Sequence, residues 1–430
     1  MDNLILFLWF LELFKPEWIL SFYIPGIGII KGIPTILLYL LFIYLILYEK
    51  RKLTFDKSFL LFIFSIFIST VFAENTGLGR RLFYSQVDYL IYYTLNISLL
   101  GDKKKNVDKI FTLYLLAFVF YGIIGIVYKG VVPFHVYLSD EDAFGPFMAM
   151  GIPLSFYAAF KYRKTKYTYF IISILSLNGV IVSFARGAFI SICATVVFIW
   201  YRFQKKIIFT LVMGLAVIIF IVSVNTFFKH GEYWKEMSTI LGSTNAETPD
   251  GRVFLWTKAW KMFVNSPLTG VGPYNYGFIL PRITSDEELY ERGIRPSLLY
   301  GRVPHNIYFQ LLSEVGAIGV FSFIVLLYVF WRKNREIQRT YYKDIFINNK
   351  QLNPYPDDVS EQFRKDLYYA IAVEGAMVAY LVNGLFYDIL FYPWIFDILI
   401  LNSLIYKRLR LKHQESLLSY NSLENVKIHG

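Results

Sequence analysis

The sequence predicts an all-α polytopic membrane protein with about twelve transmembrane helices, and three observations carry that prediction. The chain of 430 residues is 56% hydrophobic and only 17% charged, whereas a soluble protein is nearer half apolar and a quarter charged. Its charges cluster in short patches between apolar runs long enough to cross a bilayer as helices, the one open-chain form that satisfies every backbone group in lipid. The loops between those runs also alternate between rich and poor in Lys and Arg along the chain, as inner and outer loops do.

Taken in order, the apolar runs fall near 3–23, 33–48, 58–73, 84–100, 110–128, 143–160, 167–183, 187–201, 207–227, 305–331, 367–386 and 388–406. The first is interrupted by Glu12, Lys15 and Glu17, and it reads as a retained span because no basic region precedes it. With the N-terminus inside, the short inward loops Glu49–Lys57, Gly101–Lys109, Lys161–Lys166 and Arg202–Lys206 carry fifteen Lys and Arg, against five in the short outward loops. Both termini are then inside. The expected organisation is helices 1–9 over 1–227, a long external loop over 228–304, helices 10–12 over 305–406 with an inward loop at 332–365, and an inward tail over 407–430.

Composition excludes several function classes. The net charge of +11 lies in small clusters at span ends rather than on a basic soluble face, so nucleic acid is not an expected partner. Cys193 is the single cysteine, which removes intramolecular disulfides, and the five histidines show no paired ligand spacing.

The external loop is too long to be a plain connection. Within it GRVFLWTKAWKMF places Trp256, Trp260 and Phe263 at i, i+4 and i+7 of a helix, with Asp250 as the expected N-cap. Such a stripe reads first as packing against the bundle or the interface. Three outward features then stand out. Arg186 lies in SFARGA between two spans, where a guanidinium suits a phosphate through its bidentate fork. Arg252 opens the loop helix, where a cation beside free backbone N–H groups suits an anion. His305 precedes the tenth span, and the positive helix end there favours a neutral ring able to accept a proton. Arg302 and Asn306 flank it as candidate substrate-binding residues. The plain alternatives are a snorkelling arginine for Arg186 and an interfacial or capping role for His305. Glu314, Glu374, Asp388 and Asp397 lie in apolar runs and are suspects by position, with helix–helix hydrogen bonding as the simpler role.

SFARGA (183–188), Gly251-Arg252 with Trp256, the following P-L-x-G-x-G (267–272), and H-N (305–306) followed by Glu314, Gly316 and Gly319 together resemble the O-antigen ligase/polymerase superfamily. The motifs occupy about 183–320, and their order, the span count and the late long loop extend the resemblance over the chain. What it implies is a metal-independent, inverting glycosyltransferase of the GT-C-like type in the bacterial inner membrane, working at the periplasmic face. It would move a glycan from undecaprenyl pyrophosphate to an acceptor hydroxyl, a lipid A–core sugar in the ligase branch. Carried over, Arg186 and Arg252 bind the pyrophosphate and His305 activates the acceptor. Besides these substrates the implied partners are membrane lipids, and no cofactor is implied. The first outward loop, about 24–32, contains no acid, and Asp140-Glu141-Asp142 reads as a solvated helix cap. A polymerase or a protein O-oligosaccharyltransferase is the near alternative. A lipid-linked glycan transporter is the distant one, disfavoured because the suspect groups gather on one face.

Overall fold

The computed structural model describes residues 2–24, 28–100, 104–161, 165–202, 251–291, 295–346 and 357–429, with scattered helical positions between 207 and 224. The chain is helical, with no strand among the described residues. In chain order the helices are α1 (Asp2–Phe14), α2 (Pro16–Tyr23), α3 (Ile33–Leu47), α4 (Lys57–Val71), α5 (Thr76–Leu100), α6 (Lys104–Val127), α7 (Glu141–Lys161), α8 (Lys166–Val182) and α9 (Arg186–Arg202). After the 225–250 stretch follow α10 (Arg252–Asn265), α11 (Tyr276–Ile283), α12 (Asp286–Glu291), α13 (Ile307–Phe346), α14 (Asp357–Asn383) and α15 (Pro393–His429).

Four helical stretches are long and apolar enough to cross a membrane, at Ile30–Leu47, Asn106–Val127, Glu141–Phe160 and Ile307–Thr340. Shorter apolar helices lie at Asn3–Phe14, Lys57–Val71 and Lys166–Val182. This is a multi-pass membrane protein. Ile36, Leu40, Ile43 and Leu47 of α3 point outward from the bundle, as side chains facing lipid do. Inside, α7 packs on α8 and α14, α14 on α9 and α13, and α13 on α4.

Several boundaries differ from those expected, for a common reason. Hydropathy marks where a helix leaves the lipid, not where its hydrogen bonds end. The expected first span is two helices, broken at Lys15 (φ 46°) ahead of Pro16. The expected inward loop at 332–365 is largely helix, because α13 runs on to Phe346 and α14 begins at Asp357. At 40 residues α13 is roughly 60 Å long, about twice the hydrocarbon thickness. The tail likewise continues α15 to His429. Asp388 is not within a span; it sits between α14 and α15. Most of the expected ninth span, the first part of the external loop and Asp250 lie outside the described residues, and the N-cap position of α10 is Gly251.

The described part of the 228–304 segment folds on its own small core of Phe254, Leu255, Ala259, Met262, Tyr276, Ile279 and Leu280. It docks by interrupting α13. At Gly316 (φ 70°) the helix opens, and four of its backbone groups pair with 267–272 instead. Val271 and Gly272 N–H donate to Ser313 and Glu314 carbonyls at 2.9 and 3.0 Å, while Ala317 and Ile318 N–H donate to Pro267 and Leu268 carbonyls at 2.9 and 3.2 Å. A Cβ on Gly316 would fall 2.5 Å from Gly270 N and Leu268 O. Two motifs far apart in sequence are thus one interlock, and only glycine fits the seam.

Candidate active site

The site forms where the starts of α7, α9, α10 and α13 meet the 384–392 loop. Arg186 is the first residue of α9. Before it Phe184 is held at φ 54°, and Ser183 Oγ stabilises the turn by donating to Val180 O at 2.8 Å and accepting from Ala185 N at 3.2 Å. Behind Arg186, a Cβ on Gly187 would meet Phe386 Cβ at 2.5 Å, so the small residue lets the 384–392 loop close against α9. Arg252 opens α10 and lays its guanidinium 5.6 Å from the same Phe386 ring. Burial and the like charge of Arg186 push its pKa below the ordinary arginine value, with Asp142 opposing. Two helix N-termini, each headed by an arginine, converge here, and backbone N–H groups and positive charge at helix starts suit an anion.

His305 is clamped from both sides at φ 49°, a left-handed conformation costing about 1–3 kcal/mol for a non-glycine residue. On one side Trp256 Nε1 donates to Pro304 O at 3.0 Å while its ring stacks on Phe309 at 5.4 Å. On the other, Ile307 N–H donates to Gly384 O at 2.7 Å and Asn306 Nδ2 to Leu385 O at 3.0 Å. Asn306 is the actual cap of α13, its Oδ1 accepting from Tyr308 and Phe309 N–H at 2.9 and 3.1 Å. The expected capping role belongs to Asn306, and its amide is engaged with protein on both ends. His305 itself faces the Tyr387 ring at 5.7 Å. Its pKa lies below the ordinary 6.5, first through burial, then through Arg252 and Arg302, with Asp388 opposing. The neutral ring expected from the helix end thus has a stronger cause in burial.

All five expected residues gather at this end: Arg252 and Arg302 both act on the charge of His305, and Arg186 acts on Arg252. Sequence reasoning missed how Asp388 enters. It lies on the 384–392 loop beside His305, its Oδ1 buried with no hydrogen-bond partner, and burial raises its pKa while His305 lowers it. A carboxylate next to a histidine orients the ring and supports its protonated form. The sequence cue was an acid within the aromatic stretch Phe386–Tyr392. Asp140 caps α7 as expected, Oδ1 accepting from Asp142 N at 2.8 Å. Asp142, however, is in electrostatic contact with both Arg252 and Arg186, so the acidic cluster also belongs to the site.

The aromatic stripe of α10 divides. Trp256 turns inward to hold Pro304, whereas Trp260 is half-exposed and stacks on Phe263 at 5.3 Å. Glu314 is buried behind the site. It accepts from Tyr276 N at 3.2 Å and from Gln310 Nε2 at 3.4 Å, tying α11 to α13.

No curated protein matches the chain. Residues 171–324 match the family model described as O-antigen ligase, a span that contains Arg186, Arg252, the 267–272 interlock, Arg302, His305 and Asn306. This stretch of the chain is therefore similar to the O-antigen ligase family.

Proposed function

We propose that the chain is an O-antigen ligase-type glycosyltransferase that transfers O-antigen polysaccharide from undecaprenyl pyrophosphate to a lipid A–core sugar hydroxyl. The reading includes twelve spans in a GT-C-like arrangement and an active site at the periplasmic face of the inner membrane. The observation that carries it is the gathering of Arg186, Arg252 and His305 at one place, with Arg186 in electrostatic contact with Arg252, Arg252 with His305, Arg252 against the Phe386 ring and His305 facing Tyr387.

In the reaction the acceptor O–H gives its proton to a ring nitrogen of His305 as the oxygen attacks the anomeric carbon. The bond from that carbon to the pyrophosphate oxygen breaks, and the electron pair leaves with the pyrophosphate. Attack opposite the leaving group inverts the anomeric centre. Arg186 and Arg252 stabilise the growing negative charge in a partly desolvated site, and loss of one such donor removes about 10²–10³ in rate. General-base catalysis contributes typically about 10²–10⁴. Two fixed guanidiniums supply the positive charge that a metal would otherwise bring to a leaving phosphate, which is why the reading is metal-independent. Asp388 steadies the imidazolium that forms. Arg302 adds a third positive charge for the substrate, and Asn306 positions His305.

The test is expression of the chain in a host lacking its own ligase. Long polysaccharide attached to lipid A–core supports the ligase reading. Lengthening of lipid-linked glycan without attachment would replace it with the polymerase, and transfer to protein with the protein-linked alternative.

A further inference from the structure

A partly open cavity lies outside the arginine–histidine site. The break at Lys15 and Pro16 turns the chain so that Glu12, Lys15, Glu17 and Trp18 face Asp88 of α5 and Tyr137 of the α6–α7 loop around a cavity of about 190 Å³. At about 30 Å³ per water this holds roughly six waters, the scale of one sugar ring rather than a glycan chain.

Its lining is chemically mixed. Lys15 Nζ pairs with Glu12 Oε2 at 2.6 Å. The other Glu12 oxygen and Glu17 Oε2 are buried without a hydrogen-bond partner, and Glu17 is only 7% exposed. Lys31, also on the wall, sits 3.9 Å from the Trp18 ring centre. Unpartnered acceptors, ammonium donors and aromatic faces together suit a polyhydroxylated ring, whose O–H groups donate and accept while its C–H face packs on aromatics. An acyl chain would leave the carboxylates unpaired, and a phosphate would meet three acids with two lysines.

The cavity adjoins the reacting end. Tyr137 shares a hydroxyl contact with Tyr89 at 3.3 Å and places its ring 4.9 Å from Tyr392. Tyr392 hydrogen-bonds Tyr387, which faces His305 at 5.7 Å. A layer of tyrosines thus separates the cavity from His305.

We propose that this cavity binds one sugar ring of a glycan substrate, from the donor or the acceptor, an inference that rests on the glycosyltransferase reading. The test uses the full chain in lipid nanodiscs with Trp18→Leu and Asp88→Asn, measuring kcat and KM separately for lipid-linked glycan and for lipid A–core. One KM should rise roughly three- to tenfold, as loss of a ring contact implies, with kcat little changed, and the substrate affected identifies the source. A photoreactive phenylalanine at Val136, which also lines the cavity, is then placed in the His305→Ala chain and exposed in turn to each labelled glycan. A glycan adduct is expected. Its absence, or an adduct to phospholipid alone, overturns the proposal whatever the KM values. Full transfer by His305→Ala would instead count against the catalytic assignment and leave the adduct to decide the cavity.

Discussion

The two ends of the bundle use the same charged residues in opposite ways. At the end holding Asp56, Lys333, Asp366 and Arg408, cations are matched with anions. Lys333 Nζ lies 2.5 Å from Asp56 Oδ2, Arg202 2.6 Å from Glu374, and buried Arg408 bonds Asp366. Amides complete the network: Gln338 Nε2 donates to Glu374 Oε2 at 2.7 Å, and Asn334 Nδ2 to Asn402 Oδ1 at 2.9 Å. Burial would raise the Asp56 carboxyl, yet Lys333, Ser58 and Tyr93 hold it down to about 2. At the other end Arg186 and Arg252 share the charge of Asp142 while repelling each other, Arg302 adds to the charge felt by His305, and Asp388 has a buried oxygen without a hydrogen-bond partner. Two residues there, Phe184 and His305, also hold left-handed backbone. Matched charges hold helices together; charge gathered at the cost of repulsion and strain is what an anionic substrate relieves.

The largest expected break in this contrast is at the arginines. Arg186→Ala and Arg252→Ala should each lower transfer about 10²–10³-fold, or roughly 2.7–4 kcal/mol, while thermal melting in detergent changes little, because relief of the repulsion between them offsets the lost contact with Asp142. At the opposite end Asp366→Ala leaves Arg408 buried without its nearest anion. Roughly 3–5 kcal/mol of stability should go, toward the lower figure because Asp108 remains 3.8 Å from Arg408. The melting temperature falls, and transfer per folded molecule holds.

The pH profile sharpens the comparison further. Because the His305 pKa lies below 6.5, the neutral base predominates at neutral pH and the acid limb of kcat/KM falls below that value. Asp388 raises that pKa, so Asp388→Asn should move the limb to lower pH. Arg302 lowers it, so Arg302→Gln should move the limb upward. Shifts in the same direction would contradict the arrangement. The smallest effect is expected for Trp256→Phe, which keeps the stack on Phe309 but loses the bond to Pro304. About 0.5–1.5 kcal/mol should appear as a severalfold fall in kcat with melting nearly unchanged.

Much of this contrast is legible in the sequence. Apolar runs mark the helices, and the odd positions of Arg186, Arg252 and His305 single out three residues that the fold brings together. What hydropathy does not record is pairing across the chain. The exchange of backbone bonds at Gly316 depends on a loop more than forty residues earlier in the chain. Apolar neighbours place Asp388 inside a span by hydropathy, although the backbone there is a loop beside His305. The hold of Trp256 on Pro304 was hidden in a stripe that looked like plain packing. The break at Lys15 was marked by its charges, but not the cavity it shapes.

The most direct measurement is the transfer rate of the His305→Ala protein at saturating donor, taken beside its melting temperature. A fall of about 10²–10⁴ at the wild-type melting temperature is the predicted result. A wild-type rate, or a loss that follows the melting temperature, would contradict the assignment of this end as the reacting one.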